Sequence, residues 1–286
     1  MLSVLTLVRG RSRHLTNLIR GLEQSDILPA ELVIVHMNEA AVLHHSDRFP
    51  IRSLAVQDPD ESLPLAASRN LAAACASSDA FVFLDVDCIP APELLARYRQ
   101  ALLAHPEALH QGEVRYLPAD AEADGGLSEA LALQALPHVL HAGYVDGQAL
   151  PYPLFWSLNF ACMRKTFHHI GRFDDRYKGY GAEDTDFAFR ARSRSVPLLR
   201  SDALAFHQHH ASYSPPMNHF DSIIYNARVF KAQWDIWPME GWLQAFAQHG
   251  LISWDGETLS VVRAPSAGEI AACLAPAAEP FLQPAS

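Results

Sequence analysis

Positive charge is scarce in this chain. Twenty-two lysines and arginines face 32 aspartates and glutamates, a formal net charge of −10 over 286 residues. That balance argues against a nucleic-acid partner, which needs a basic face. An anionic small ligand would meet a repulsive mean field, so its site must import positive charge as local arginines or a metal ion. Lysine is scarcer still, with three residues against 19 arginines, a bias that reads as genome composition rather than function. The four cysteines (Cys75, Cys88, Cys162, Cys273) lack paired spacing and suit buried, reduced thiols. No apolar run approaches the roughly 20 residues that span a bilayer, although peripheral membrane contact stays open. Met1-Leu2-Ser3-Val4 runs straight into an apolar strand pattern without a signal-peptide pattern ahead of it. The expectation is a soluble cytoplasmic protein. Internal repeats are also missing.

What is present is an alternation of strands and helices, supported by 49% hydrophobic content. Apolar strand patterns fall at 3–8, 31–35, 51–56 and 80–84, and helical patterns at 15–22, 65–76 and 91–104. A strand is expected at 112–117, a loop at 119–126, a strand at 155–163 and a short helix at 165–170. After the turn Gly179-Tyr180-Gly181, residues 183–194 read as a helix, acidic at its start and basic at its end as the macrodipole favours. The expected fold class is α/β, a Rossmann-like, mostly parallel sheet covered by helices on both faces. In such sheets ligands bind beyond the carboxyl ends of the strands. The organisation reads as one domain over 1–263, with a first half at 1–117, a second at 151–215, a helical extension at 216–263 and an Ala/Pro-rich tail at 264–286.

Four features carry chemistry. Asp85-Val86-Asp87 ends a fully apolar strand. A carboxylate pair there can hold a divalent cation, which offsets charge on a diphosphate leaving group; the bland alternative is a solvated strand end. Glu183-Asp184-Thr185-Asp186 follows a glycine turn at a helix mouth. Three acids in four positions exceed what capping requires, although acidic first turns stabilise many ordinary helices. His207-Gln208-His209-His210 offers imidazole, and one histidine beside two aspartates makes a mixed oxygen and nitrogen site for Mn²⁺ or Mg²⁺. Arg9, Arg11 and Arg69 lie near the ligand edge, where guanidinium forks match phosphate and uracil oxygens. Trp156 can stack on a sugar face, whereas Trp234, Trp237 and Trp242 read as packing or an acceptor-side lid.

These elements occur in an order that resembles a known family. Arg9-Gly10-Arg11, Ser68-Arg69-Asn70, Phe81 to Pro90, Asn159-Phe160 with Gly171-Arg172-Phe173-Asp174, Gly179 to Phe187 and His207 follow one another along residues 1–215. The series resembles the family 2 glycosyltransferases of GT-A fold, with a galactosyltransferase-type segment shared with β-1,4-galactosyltransferases and chondroitin-polymerase-like enzymes. The resemblance implies transfer of a sugar from a nucleotide-diphosphate donor, a UDP-sugar above all, to an acceptor hydroxyl with inversion. The acceptor would be a carbohydrate, lipid-linked or small-molecule hydroxyl. It further implies that Arg9, Arg11 and Arg69 contact the nucleotide, that Asp85 and Asp87 form the metal-linked pair with Asp87 the direct ligand, and that His207 is the late metal ligand. Among the catalytic residues Asp184 would be the base and Glu183 an acceptor or donor contact, and Trp156, Asn159, Tyr180 and Gly181 would face the substrates. The pattern departs at His36-Met37-Asn38-Glu39, where an acidic pair usually reads the uracil, at Ala182, commonly glycine, and at Tyr180, often tryptophan.

Three rivals share parts of this reading. A nucleotide-sugar pyrophosphorylase would show a glycine-rich, lysine-containing phosphate loop after the first strand, and Arg9-Gly10-Arg11-Ser12-Arg13 is not one. A non-catalytic carbohydrate-binding protein would need aromatic platforms but not Asp87, Asp184 and His207 together. A retaining transferase of similar architecture stays open.

Overall fold

The structure, a computed structural model, describes residues 1–119, 121, 127–137 and 143–274. It begins β1 (Ser3–Val8), α1 (Ser12–Glu23), β2 (Glu31–Met37), β3 (Ile51–Val56), α2 (Leu65–Cys75) and β4 (Ala80–Leu84). Next come β5 (Cys88–Pro90), α3 (Leu94–Ala104), β6 (Leu109–Tyr116), α4 (Glu129–Ala132) and β7 (Leu136–Pro137). The second half holds β8 (Asn159–Met163), α5 (Arg164–Ile170), α6 (Glu183–Ser193) and β9 (Leu198–His207). It finishes with α7 (Phe220–Trp234), α8 (Glu240–Gln248), the hairpin β10 (Ile252–Trp254) and β11 (Leu259–Val261), and α9 (Ala267–Ala272).

One sheet runs in the order β3-β2-β1-β4-β8-β6-β9-β5, with β7 on the side of β6. β3, β2, β1 and β4 are parallel, as is the long β6–β9 pair, while β8 and β5 run antiparallel to their neighbours. Side chains alternate across a strand, so each strand feeds two cores. Leu5, Leu7, Phe81 and Phe83 pack with α2, α5 and α6, whereas Val4, Val8, Val82 and Leu84 pack with α1 and α3. Burial on both faces is why these strands read as unbroken apolar runs. The chain leaves β1 toward β2 on one side and returns to β4 on the other, placing the switch point between β1 and β4. Arg9–Arg11 and Asp85–Asp87 follow these two strands.

Several boundaries differ from the sequence pattern for identifiable reasons. The expected helix at 91–104 starts only at Leu94, because β5 first pairs with β9 and the Ala91 amide still donates to Leu204. The strand expected at 155–163 starts at Asn159, after a 3-10 turn at Tyr152–Leu154. β9 is missed altogether, since Arg200, Ser201 and Asp202 break its apolar pattern. Arg200 is nevertheless buried, because Glu113 accepts from its guanidinium at 2.7 Å. All four cysteines are free, and Cys75 is half-buried where the others are buried. Within the expected tail, Ser266 and Glu269 form a capping box that starts α9, and residues 275–286 lie outside the described residues. Of the loop expected at 119–126, residues 120 and 122–126 also lie outside them. Among the described residues no helix is long and apolar enough to cross a membrane.

Residues 217–273 carry an apolar cluster of their own, built on Phe220, Ile223, Ile224, Leu243, Phe246 and Ile252. A second, smaller cluster joins Phe230 of α7 to Phe189 of α6 and to Ala182, which caps that helix. The C-terminal segment is thereby anchored beside the Gly179–Gly181 turn.

Candidate active site

The Asp85–Asp87 turn and the histidine segment are brought together by strand pairing. β5 and β9 run antiparallel with Cys88 opposite His207, and the Gln208 amide donates to the Asp87 carbonyl at 2.7 Å. Gln208 itself is held by the Asn17 amide of α1 at 2.7 Å. His207 Nε2 lies 3.5 Å from Asp87 Oδ1, and His210 Nε2 lies 3.3 Å from Asp87 Oδ2. These three side chains could each offer one ligand atom, all within 4.8 Å of one another. Asp87 is buried, and Arg11 donates to its Oδ2. Burial alone would raise the Asp87 pKa, but His207, His210 and Arg11 hold it well below the usual carboxylate range. Burial lowers the pKa of His207, favouring the neutral imidazole that has a lone pair to give. His209 is exposed and His14 Nε2 meets only its carbonyl, at 3.2 Å. Spacing explains the choice: the chain leaves β9 at His207, and His210 rather than His209 folds back over Asp87.

Asp85 faces elsewhere. Its carboxylate lies 3.8 Å from the buried Arg69 of α2, which also donates to Glu183 at 3.0 Å and lies over the Phe173 ring at 5.1 Å. Arg69 therefore ties the first acidic turn to the mouth of α6. Asp85 is not part of the three-residue ligand group found among the described residues.

At that mouth the acids divide in role. Asp186 is fully buried and accepts from Arg190 at 2.8 Å and from Gln233 and the Trp234 indole at 2.9 Å each, which fixes α6 to α7. Asp184 is half-buried and takes the Thr185 amide at 2.7 Å. Burial and the neighbouring Glu183 carboxylate push its pKa up to about 7, against the pull of Arg69. A carboxylate tuned there can take a proton near neutral pH. Tyr180 is 37% exposed, and its phenol, surrounded by Asp184, Glu183 and Asp85, is pushed up by desolvation and by those charges.

The other expected residues are placed differently. Arg9 is exposed, with Nη1 3.5 Å from the Glu61 carbonyl and no part in the Asp87 cluster. Trp156 is half-buried, its backbone amide donating to Gln111. Asn159 does not reach the cleft. It is wholly buried, accepting from the Tyr98 hydroxyl at 2.7 Å and donating to the Glu113 and Ala203 carbonyls at 2.9 Å each. That amide joins β8, β6 and β9, so its demand is structural. Glu39 stands where the usual acidic pair is missing, accepting from the Gly10 amide at 2.8 Å and bonded to His36 at 2.9 Å. Two residues near the site, Tyr116 and His219, escape the sequence reading, and Trp242 is expected from it as packing or an acceptor-side lid. Tyr116 lies with its ring 5.0 Å from that of His207, and His219 and Trp242 stack on Tyr180 at 4.6 and 5.8 Å. Tyr116 is opposite His207 in the β6–β9 register, a pairing invisible before β9 is known.

With this geometry in hand, similarity to known proteins narrows the class. Two solved structures superpose over most of the chain. GalNAc-T7 with UDP, GalNAc and Mn²⁺ gives a TM-score of 0.56 at 14% identity, covering 82% of this chain and 50% of its own. Staphylococcus aureus TarS residues 1–349 with UDP-GlcNAc gives 0.55 at 14% identity, covering 80% and 66%. The fold is that of the GT-A glycosyltransferases. A sequence-family model described as the N-terminal domain of galactosyltransferase matches residues 138–211, the stretch that holds β8, α5, α6 and β9. Validoxylamine A glucosyltransferase of Streptomyces hygroscopicus subsp. limoneus is 23% identical over 232 residues, 70% of this chain and 50% of that one. Its namesake from subsp. jinggangensis is 23% identical over 205 residues, 63% and 47%. The chain thus spans about half the length of the curated relatives it matches. The chain has the GT-A fold, and its residues 138–211 are similar to a galactosyltransferase segment.

Proposed function

We propose that this domain is a metal-dependent glycosyltransferase that moves a sugar from a UDP-sugar to an acceptor hydroxyl with inversion. The observation that carries the reading is the convergence of Asp87, His207 and His210 within 4.8 Å, at the carboxyl edge of a GT-A sheet. One carboxylate and two imidazoles form a donor set that suits Mn²⁺, with Mg²⁺ less well served by nitrogen. The buried Asp87 carboxylate, whose partners among the described residues are Arg11, His207 and His210, fits a site built for a cation. Asp87, His207 and His210 would hold the ion, which when bound offsets charge on the diphosphate leaving group. The similar structures of GalNAc-T7 with UDP and Mn²⁺ and of TarS with UDP-GlcNAc support the same donor chemistry here.

The chain's own residues take the remaining work. Arg11 is the cation nearest the cluster and supplies positive charge that the composition lacks, so it is placed to meet the diphosphate. Asp184 draws the proton from the acceptor hydroxyl as that oxygen attacks the anomeric carbon and the bond to the diphosphate breaks. A single base opposite the leaving group makes one displacement, hence inversion. Arg69 pairs with Glu183 and Asp85, and burial with the Glu183 charge raises Asp184 furthest, to about 7, against about 6 for Asp85. The test is release of UDP from UDP-glucose, UDP-galactose, UDP-GlcNAc and UDP-GalNAc with MnCl₂ or EDTA. Metal-dependent release from at least one donor is expected, and no release from any of the four contradicts the reading.

A further inference from the structure

The Gly179–Gly181 turn carries Tyr180 and opens directly into Glu183 and Asp184, so its conformation sets the acceptor side of the site. What holds the turn lies outside residues 138–211. Asn226 of α7 is fully buried. Its Oδ1 accepts from the Lys178 amide at 2.9 Å, and its Nδ2 donates to the carbonyls of Lys178 and Gly181 at 2.8 Å each and of Tyr180 at 3.3 Å. One turn earlier on the helix, Ser222 Oγ accepts from the Tyr180 amide at 3.3 Å. The contact is close enough to require glycine twice. A methyl on Gly179 would lie 2.5 Å from Ser222 Cβ, and one on Gly181 would lie 2.7 Å from Met239 Sδ. Both glycines also sit at positive φ, +68° and +100°. His219 and Trp242, from the same C-terminal segment, stack on the Tyr180 ring.

A buried amide that satisfies four backbone groups of a loop leaves that loop little freedom, and its removal strands those groups. We propose that Asn226 is a positioning residue for catalysis: it fixes the turn that presents Tyr180 and Asp184, making the C-terminal segment a working part of the active site. The inference rests on the functional reading above for its consequence in turnover, but not for the clamp itself. No part of it requires Asn226 to touch substrate. It acts through the backbone of residues 178–181.

The test uses the full chain with Asn226→Ala and, as a milder variant, Ser222→Ala, each with MnCl₂ and UDP present. Amide hydrogen exchange over residues 178–184 should accelerate at least about tenfold in Asn226→Ala and less in Ser222→Ala. Peptides over 81–88 and 198–207 should keep wild-type rates, and UDP affinity should stay within about twofold. With whichever of the four UDP-sugars the wild type hydrolyses, kcat for hydrolysis should fall at least about tenfold at unchanged donor KM. Unchanged exchange over 178–184 in both variants overturns the proposal, as does acceleration spread evenly over the chain. If the wild type hydrolyses none of the donors, the functional reading fails while the exchange measurement still decides the clamp.

Discussion

Asp184 is the residue whose pH behaviour can be worked out from its neighbours. Its pKa is raised to about 7 by burial and by the Glu183 carboxylate beside it, with Arg69 opposing. A general base works only when ionised, so kcat/KM should fall as pH drops through about 7. One pH unit below, about a tenth of the molecules hold the ionised form, so activity at pH 6 should be about a tenth of the plateau. Glu183→Gln removes a charge that raises this pKa. It also releases Arg69, now bonded to Glu183 at 3.0 Å, to share its charge between Asp184 and Asp85. Both effects favour the carboxylate, so the acid limb should move to lower pH by up to about one unit, equal to about 1.4 kcal/mol. Asp184→Asn removes the base and should cut kcat by about 10²–10⁴-fold with UDP and metal affinity near wild type. The assay is kcat/KM for UDP release from pH 5.5 to 9, with proton NMR of the product's anomeric configuration. A flat profile down to pH 5.5, or a limb that moves to higher pH in Glu183→Gln, would refute the reasoning. A retained configuration would refute inversion.

Other outcomes follow from the same contacts. Arg11→Ala should raise donor KM about tenfold with acceptor KM unchanged. A charge-assisted hydrogen bond contributes about 1.5–3 kcal/mol, and the lower end applies to a side chain 36% exposed. Asp186→Ala breaks a buried ion pair and strands Trp234 and Gln233, costing about 3–5 kcal/mol in urea unfolding, whereas Asp184→Asn should cost far less. Gly112→Ala drives a methyl to 2.3 Å from the Tyr98 hydroxyl and the Asn159 amide and 2.5 Å from the Ala203 carbonyl. It should destabilise by at least about 1–3 kcal/mol, read as a lowered Tm.

Much of the fold is legible because β1, β2 and β4 are buried on both faces and so read as unbroken apolar runs. The acidic turns are legible because carboxylates at the end of an apolar strand are conspicuous. What the pattern hides is set by pairing across long separations. Arg200 and Asp202 disguise β9, and without β9 neither Tyr116 nor His210 can be placed beside Asp87. Asn159 reads as a substrate residue only because its burial against Tyr98 and Ala203 depends on that same strand. Asp184 and Asp186 look alike in sequence, and only the packing of α7 shows which carboxylate is spent on structure. Ala182 departs from the glycine common in similar enzymes, yet it adopts φ +69°, the left-handed backbone that glycine accommodates more readily.

The central claim is that a divalent cation and the nucleotide share a site built on Asp87. Titration calorimetry of UDP into the full chain, with MnCl₂ and then with EDTA, tests it most directly. Binding should be tight only with Mn²⁺, be abolished by Asp87→Ala, and weaken at least about tenfold (~1.4 kcal/mol) in His207→Ala and in His210→Ala, with His209→Ala unaffected. UDP affinity that ignores Mn²⁺, or that survives Asp87→Ala unchanged, would contradict the account.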